Sequence, residues 1–180
     1  QRLSGDFVFE QVTTAAPRSQ RVIRVSASDV SVGLGDGTRD FVRVENGEGN
    51  FLLTAAGVAG EFSGDVLLDV PCVSFTGSFA VRVKTITGAV DETFNTAVGT
   101  AHLDFTDSNE LGQFFRIEAT GLTLVVAGQT LTGNFAIEQS ERAGTNGVFE
   151  AAGPASDDEA IVTIGITNLS LTITDGVTNF

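Results

Sequence analysis

The sequence predicts an all-β protein with no substantial helix, on three observations. Apolar and polar residues alternate along many short segments, which is the period of a strand with one buried face. The 180 residues include 21 glycines, and short clusters of Gly, Asn and Asp separate these segments as tight turns do. A strand-forming phrase with a central glycine also recurs. Together these features predict a repeat-built fold, either a β-solenoid or a curved β-sandwich with strands kinked at glycine.

The alternating segments predict strands in chain order, and the clusters between them predict turns. Each strand segment is rich in β-branched residues or Phe. The clearest of these segments are residues 30–34, 41–45, 79–84, 122–126 and 169–173. The predicted turns are residues 35–38, 46–49, 127–129 and 175–176.

The recurring phrase first occurs as Ser4-Gly5-Asp6-Phe7, and related phrases follow along the chain. A glycine inside a strand lets the strand bend, whereas the Phe that follows is suited to a core. The glycines predicted at kinks are Gly5, Gly49, Gly64, Gly77 and Gly133. The aromatic residues predicted to face a core are Phe7, Phe51, Phe79 and Phe135.

A longer repeat joins the two ends of the sequence. Residues 3–11 match residues 131–139, and residues 25–32 align with residues 164–171, which indicates a unit of roughly 130 residues. We therefore predict that residues 1–139 form one β repeat unit that begins with its terminal-type strand. Residues 140–160 are predicted to form a polar loop or linker. Residues 161–180 start a second repeat or provide a strand that complements a partner.

Charge and composition limit the partners. The chain has 10 basic and 23 acidic residues, a net charge of −13, which disfavours nucleic acid as a partner. No stretch approaches the ~20 apolar residues of a membrane helix, so membrane insertion is not predicted. Cys72 lies between apolar neighbours with no second cysteine, which predicts a buried free thiol. The predicted partners are other copies or neighbouring repeats through strand pairing, with glycans as a further class.

The acidic segment from Asp104 to Glu110 is the candidate metal site. Asp104, Asp107, Asn109 and Glu110 offer the oxygen ligands that calcium prefers, although the segment lacks the glycine turn of an EF-hand. A solvated turn is the alternative, because Asp and Asn favour turns on their own account. The only histidine, His102, lies in a strand-like setting without a nucleophile motif. No other cofactor and no catalysis are predicted.

The segment Thr85-Ile86-Thr87-Gly88-Ala89-Val90-Asp91-Glu92-Thr93-Phe94, with Ser63-Gly64-Asp65-Val66 and Thr132-Gly133-Asn134-Phe135, resembles tandem repeats of very large secreted bacterial surface proteins of the adhesin or hemolysin-like kind. The resemblance implies an extracellular or cell-surface module with structural or adhesive work. The function predicted is assembly into a filament, array or surface layer, without catalysis. A carbohydrate- or surface-binding adhesin domain is the first alternative. A β-helix polysaccharide-degrading enzyme is the second, and the scarcity of Lys, Tyr and His disfavours it.

Overall fold

The computed structural model describes residues 1–13, 21–97, 99–150 and 157–173, which form ten β-strands. No helix occurs in these residues, so none of them belongs to a helix long and apolar enough to span a membrane. The all-β prediction is confirmed. The strands are β1 Arg2–Thr13, β2 Arg21–Gly35, β3 Asp40–Thr54, β4 Gly57–Val70, β5 Val73–Lys84, β6 Val90–Thr96, β7 Gly99–Phe105, β8 Phe114–Val126, β9 Gln129–Arg142 and β10 Glu159–Thr172.

Eight of the strands form one antiparallel sheet in the order β1-β2-β3-β4-β5-β8-β9-β10. The other two, β6 and β7, form a separate hairpin. Strands that follow one another along the chain are neighbours in the sheet, except that the β6–β7 hairpin is inserted between β5 and β8. Because every pair is antiparallel, the described part of the chain contains no coil of a solenoid.

The turn predictions are partly right. Residues 36–39 connect β2 to β3, and residues 127–128 connect β8 to β9, as predicted. The predicted turn at residues 46–49 is wrong, because these residues lie inside β3. Asn46 has a φ of 53° there and marks an irregularity in the pairing of β3 with β4. The predicted turn at residues 175–176 lies outside the described residues.

Cys72 is exposed, so the prediction of a buried thiol is wrong. Pro71 and Cys72 form the two-residue loop between β4 and β5, whose last and first residues, Val70 and Val73, pair with each other. Cys72 has a φ of 66°. The fixed φ of proline followed by a residue with positive φ is the pattern of a type II turn. The turn geometry therefore places the thiol in solvent despite its apolar neighbours.

A line of pairing irregularities crosses the sheet near the middle of its strands. Such shifts occur in every pair of adjacent strands except β4–β5. Gly5, Gly64, Gly77 and Gly133 lie at these shifts, as predicted for kinks. Gly49 is paired on both sides, with Ala27 and Phe62, and lies next to a shift instead of at one, which corrects its assignment as a kink. The non-glycine residues with positive φ along this line are Asp29, Asn46 and Asn168.

The β6–β7 hairpin covers part of one face of the sheet, which we call the covered face. Its buried side chains, among them Phe94 and Phe105, pack against Leu52 and Phe114 of the sheet. Alternation along each strand directs neighbouring residues to the opposite face, which we call the open face. No described strand outside the sheet packs over the open face, because β6 and β7 are the only such strands and they lie on the covered face.

The phenylalanines predicted for a core lie on the open face. Phe7 is 46 % exposed at the sheet edge, so its placement in a core is wrong. Phe51, Phe79 and Phe135 are half-buried by their neighbours in the sheet. Phe79, for example, packs with its ring centroid 5.8 Å from that of Phe62. The closed core is instead built around the aromatic residues of the hairpin and its neighbours.

Candidate functional site

A row of mostly polar side chains crosses the covered face beside the hairpin core. Each member lies opposite the next across adjacent strands, so alternation directs them all to the same face. Several are titratable, and they include two neighbouring arginines on β5 and β8. The row consists of Ser26, Asn50, Glu61, Arg82, Arg116, Glu138 and Thr163.

Arg82 is the most connected residue of this row. Its guanidinium donates hydrogen bonds to the carboxylate of Glu110 and to the backbone carbonyl of Asp104. The guanidinium carbon lies 4.4 Å from the centroid of the Phe105 ring, which is the geometry of a cation–π contact. Arg82 therefore fastens β7 and the segment after it to the sheet.

Two further arginines each bind two carboxylates. Arg24 donates to Glu92 of the hairpin at 2.6 Å and to Glu10 of β1 at 3.3 Å. Its hydrogen bond with Glu92 is the main cause of a raised pKa for the guanidinium. Arg116 is held in the same way by Glu118 and Glu138. The Arg24 cluster links the β6–β7 hairpin to β1 and β2, and the Arg116 cluster links β8 to β9, by charge-assisted hydrogen bonds.

A shallow depression of about 260 Å³ lies next to Arg82, with Asn50 and Glu61 in its lining. Burial raises the pKa of the Glu61 carboxyl, and the nearby Arg82 charge opposes that rise. A raised carboxyl pKa beside an arginine also occurs in ion-pair networks that only stabilise a fold. The raised pKa of Glu61 therefore does not by itself identify an active site.

The structure places the four predicted calcium ligands around this same attachment. Glu110 is 4 % exposed and binds Arg82, and Asp104 lies in β7. The amide of Asn109 donates to Glu138 at 3.2 Å. Asp107 closes a turn, since its backbone carbonyl accepts from the Glu110 amide at 2.9 Å. The calcium site at these residues stays a prediction, and the pairing of Glu110 with Arg82 is what an ion would have to displace.

Within the described residues, one group of three acidic side chains converges closely enough to share an ion. The ligand atoms of Glu150, Asp157 and Asp158 lie within 4.8 Å of one another. Asp157 and Asp158 accept hydrogen bonds from the backbone amides of Thr145 and Gly144, at 2.9 and 3.1 Å. These bonds tie the segment after β9 to the segment before β10. Asp157 and Asp158 belong to an acidic run in the sequence, but nothing in the sequence indicates Glu150 as their neighbour.

His102 lies on the exposed side of the β6–β7 hairpin, with its Nε2 atom 2.6 Å from Oδ1 of Asp91. This hydrogen bond is the main cause of a raised pKa for the imidazole. Asp91 and Glu92 are adjacent in β6 and bind different partners, His102 and Arg24. Adjacent strand residues point to opposite faces, so the two carboxylates do not form a pair.

Replacing Asp91 with asparagine is expected to lower the pKa of His102 towards the ordinary histidine value, because the acceptor loses its charge. The single imidazole of the chain makes its proton NMR titration simple to follow. A raised folded pKa adds stability below the unfolded value of about 6.5, and this contribution is lost as pH rises through the folded pKa. An unchanged titration in Asp91→Asn would show that another group sets the pKa of His102. Asp104→Asn is the matched control, because it removes a neighbouring carboxylate charge and leaves the hydrogen bond between His102 and Asp91 in place.

The first and last strand pairs of the sheet share one register. In the β1–β2 pair, one residue of β1 lies opposite two residues of β2. In the β9–β10 pair, one residue of β9 lies opposite two residues of β10, at the same place in the matching sequences. The extra residue has positive φ in both cases, at Asp29 with 51° and Asn168 with 54°. The pairs that flank the irregularity are Ser4–Ser31 and Asp6–Ser28 in one hairpin, and Thr132–Ser170 and Asn134–Thr167 in the other.

Comparison with known protein families, with curated proteins and with solved structures found no match for this chain. The resemblance to bacterial surface proteins, the extracellular location and the glycan partner therefore stay predictions. The clusters around Arg82 and Arg24 attach the β6–β7 hairpin to the sheet. The features that point outward are the two edge strands and the open face.

Proposed function

We propose that this chain is an extracellular structural module that assembles into a filament or array by strand pairing at the ends of its sheet, without catalysis. The observation that carries the proposal is the pair of open, apolar edges. β1 and β10 each pair with one neighbour in the described part of the chain, so a full row of backbone groups on each is available to another strand.

The side chains of these edge strands support association. Large apolar residues on β1 and β10 are more exposed than those of the inner strands, and contact with another strand would remove them from water. The edge residues concerned are Leu3, Phe7 and Phe9 on β1, and Val162, Ile164, Ile166, Leu169 and Leu171 on β10. A contact between two different edges is heterologous, and it gives a linear assembly when the rotation between copies does not close into a ring.

The net charge of −13 sets the conditions for assembly. Copies of an acidic chain repel one another, and salt at about 0.15 M screens exposed charges beyond about 8 Å. Assembly through apolar edges is therefore expected to increase with ionic strength. Calcium ions bound by carboxylates would also reduce the repulsion between copies. That effect would depend on calcium itself and not on ionic strength alone.

We expect the purified chain to form larger species as concentration and salt rise, measured by light scattering and by negative-stain electron microscopy. Regular filaments are the expected result. The same samples with a calcium chelator test the site at Asp104, Asp107, Asn109 and Glu110. A chain that stays monomeric at every salt and calcium concentration would contradict assembly as the function, and a glycan-binding screen would then address the adhesin alternative.

A further inference from the structure

The β1–β2 and β9–β10 hairpins share one register, so β10 is the counterpart of β2. Positions 161–171 of β10 correspond to positions 22–32 of β2, and apolar residues occupy matching places in the two strands. β2 pairs with β1 on one side and with β3 on the other. β10 pairs with β9 on one side, and its second edge has no neighbour in the described residues. The strand that pairs with β2, which is β3, is therefore the model for a partner of the open edge of β10.

We propose that the β9–β10 hairpin of one copy occupies the β1–β2 position of a second copy, so that β10 pairs with β3 of that copy and lies under its β6–β7 hairpin. This inference rests on the proposed assembly function and names its partner and register. The new contact is continuous with an interface that the molecule already has, since it repeats the β2–β3 pairing at the end of the same sheet.

The core position of β2 is preserved in β10. Val22 is buried in the core beneath the hairpin, together with Leu52 and Phe94. Ile161 takes the corresponding place in β10, so a branched apolar side chain would fill the same space. On the open face, the pairing of Ile23 with Leu53 would become a pairing of Val162 with Leu53 of the second copy.

The positions that demand small or special residues are also preserved. Ser26 is 4 % exposed beneath the hairpin, and its counterpart is Gly165, which leaves at least as much space. Asp29 and Asn168 both adopt the left-handed conformation that their side chains tolerate better than most. β10 therefore carries the backbone irregularity that pairing with β3 requires, although β3 is distant from it within the same copy.

Two further positions differ in charge or in the presence of a Cβ atom, and each has a defined consequence. Thr163 replaces Arg24, so Glu92 of the second copy would exchange an arginine for a hydroxyl. Thr172 replaces Gly33, where an added Cβ would lie 2.8 Å from the carboxylate of Asp40. That contact involves the end of a partly exposed side chain, which can rotate away. Thr163→Arg is therefore expected to strengthen the exchange by restoring the ion pair with Glu92.

The first test weakens the β1–β2 hairpin in its own position, in the full chain. Val22→Asp places a carboxylate in the core position of β2 and is expected to release β3 for the hairpin of another copy, so assembly should begin at a lower concentration. Adding Ile161→Asp should abolish that gain, because the incoming hairpin then carries the same defect. A gain that persists in the double variant would show non-specific aggregation and would overturn the exchange.

The second test leaves the hairpins intact and traps the register. In a Cys72→Ser background, one chain carries Leu53→Cys and the other Val162→Cys, at positions that are 41 % and 61 % exposed. Opposed residues in antiparallel strands have Cα atoms about 4.5–5.5 Å apart, within the reach of a disulfide. Within one copy, β3 and β10 are separated by about 24 Å at the usual strand spacing, so the link requires two copies.

The expected result is a covalent dimer of the mixed chains linked between positions 53 and 162, which peptide mapping identifies. Arg43→Cys is the matched control for Leu53→Cys, because Arg43 has a similarly exposed side chain on the far half of β3. Filaments without the 53–162 link would overturn hairpin exchange and leave assembly as the function. A 53–162 link in particles that never grow beyond pairs would support the exchange and contradict filament formation.

Discussion

Replacing Phe94 with alanine is expected to lower the free energy of unfolding by about 3–5 kcal/mol, because it leaves a cavity between the hairpin and the sheet. Phe94 is 1 % exposed and belongs to the core cluster that also contains Val22, Leu52 and Leu103. These side chains come from three different regions of the chain. The lost contacts therefore weaken both the attachment of β6–β7 and the sheet beneath it. Chemical denaturation with linear extrapolation measures the change.

Phe7→Ala is the matched control for this experiment. It removes the same ring from an edge strand where Phe7 is 46 % exposed, so its effect on the monomer should be clearly smaller. Equal losses in the two variants would mean that the edge of the sheet is covered in solution. A loss below about 1 kcal/mol for Phe94→Ala would mean that the hairpin is not packed on this face.

The period-two pattern was enough to predict the strands but not the face that the hairpin covers. Phe51 and Leu52 are adjacent in β3, and both are apolar, so alternation does not distinguish the two faces at that position. The choice depends on β6 and β7, whose Phe94 and Leu103 pack on the Leu52 side. Such packing brings together residues far apart in the sequence, which a local pattern does not report. The core phenylalanines were assigned wrongly for this reason.

The mistaken turn at Asn46 has a related cause. Turns and strand irregularities both use residues that tolerate positive φ, so Asn-Gly predicts either one. Asn46 and Gly47 lie in the middle of a 15-residue strand, at the line of irregularities that crosses the sheet. A row of such sites at one height in several strands is visible only after the strands have been paired.

The charge clusters could not be predicted from the sequence either. Arg82 binds Glu110, and Arg24 binds Glu92, across 28 and 68 residues of chain. The candidate calcium segment has the oxygen ligands that calcium prefers, yet Glu110 is bound by Arg82, which sequence spacing gives no reason to place there. The equivalence of the two hairpins is the exception, because it follows from matching residues and needs no knowledge of long-range contacts.

The second large effect is expected in the pH dependence of stability and comes from Lys84, because its ammonium group is buried in the folded chain. The residue is 1 % exposed, and Nζ donates hydrogen bonds to the carbonyl oxygens of Gly88 and Leu111, at 2.6 and 3.1 Å. Burial lowers the pKa of Lys84 from 10.5 to about 8, although the charges of Glu110 and Glu141 oppose the shift. Holding the charged form therefore costs free energy in the folded state.

The stability of the chain is expected to rise by roughly 3 kcal/mol between pH 8 and pH 10.5. Below pH 8, Lys84 is protonated in both the folded and the unfolded state, so this group causes no pH dependence there. Above that value the folded chain has released a proton that the unfolded chain still binds. Raising the pH then favours the folded state until the unfolded lysine also loses its proton near pH 10.5.

The composition of this chain makes the measurement unusually clean. It has one lysine and no tyrosine, and its single cysteine can be removed by Cys72→Ser. The N-terminal amine is common to every variant and cancels in a comparison. Denaturation curves of this variant across the pH range should therefore report Lys84, and Lys84→Met in the same background should remove the rise. A rise that survives in Lys84→Met would show that another group titrates, and a flat profile in both would show that the ammonium is solvated in the folded chain.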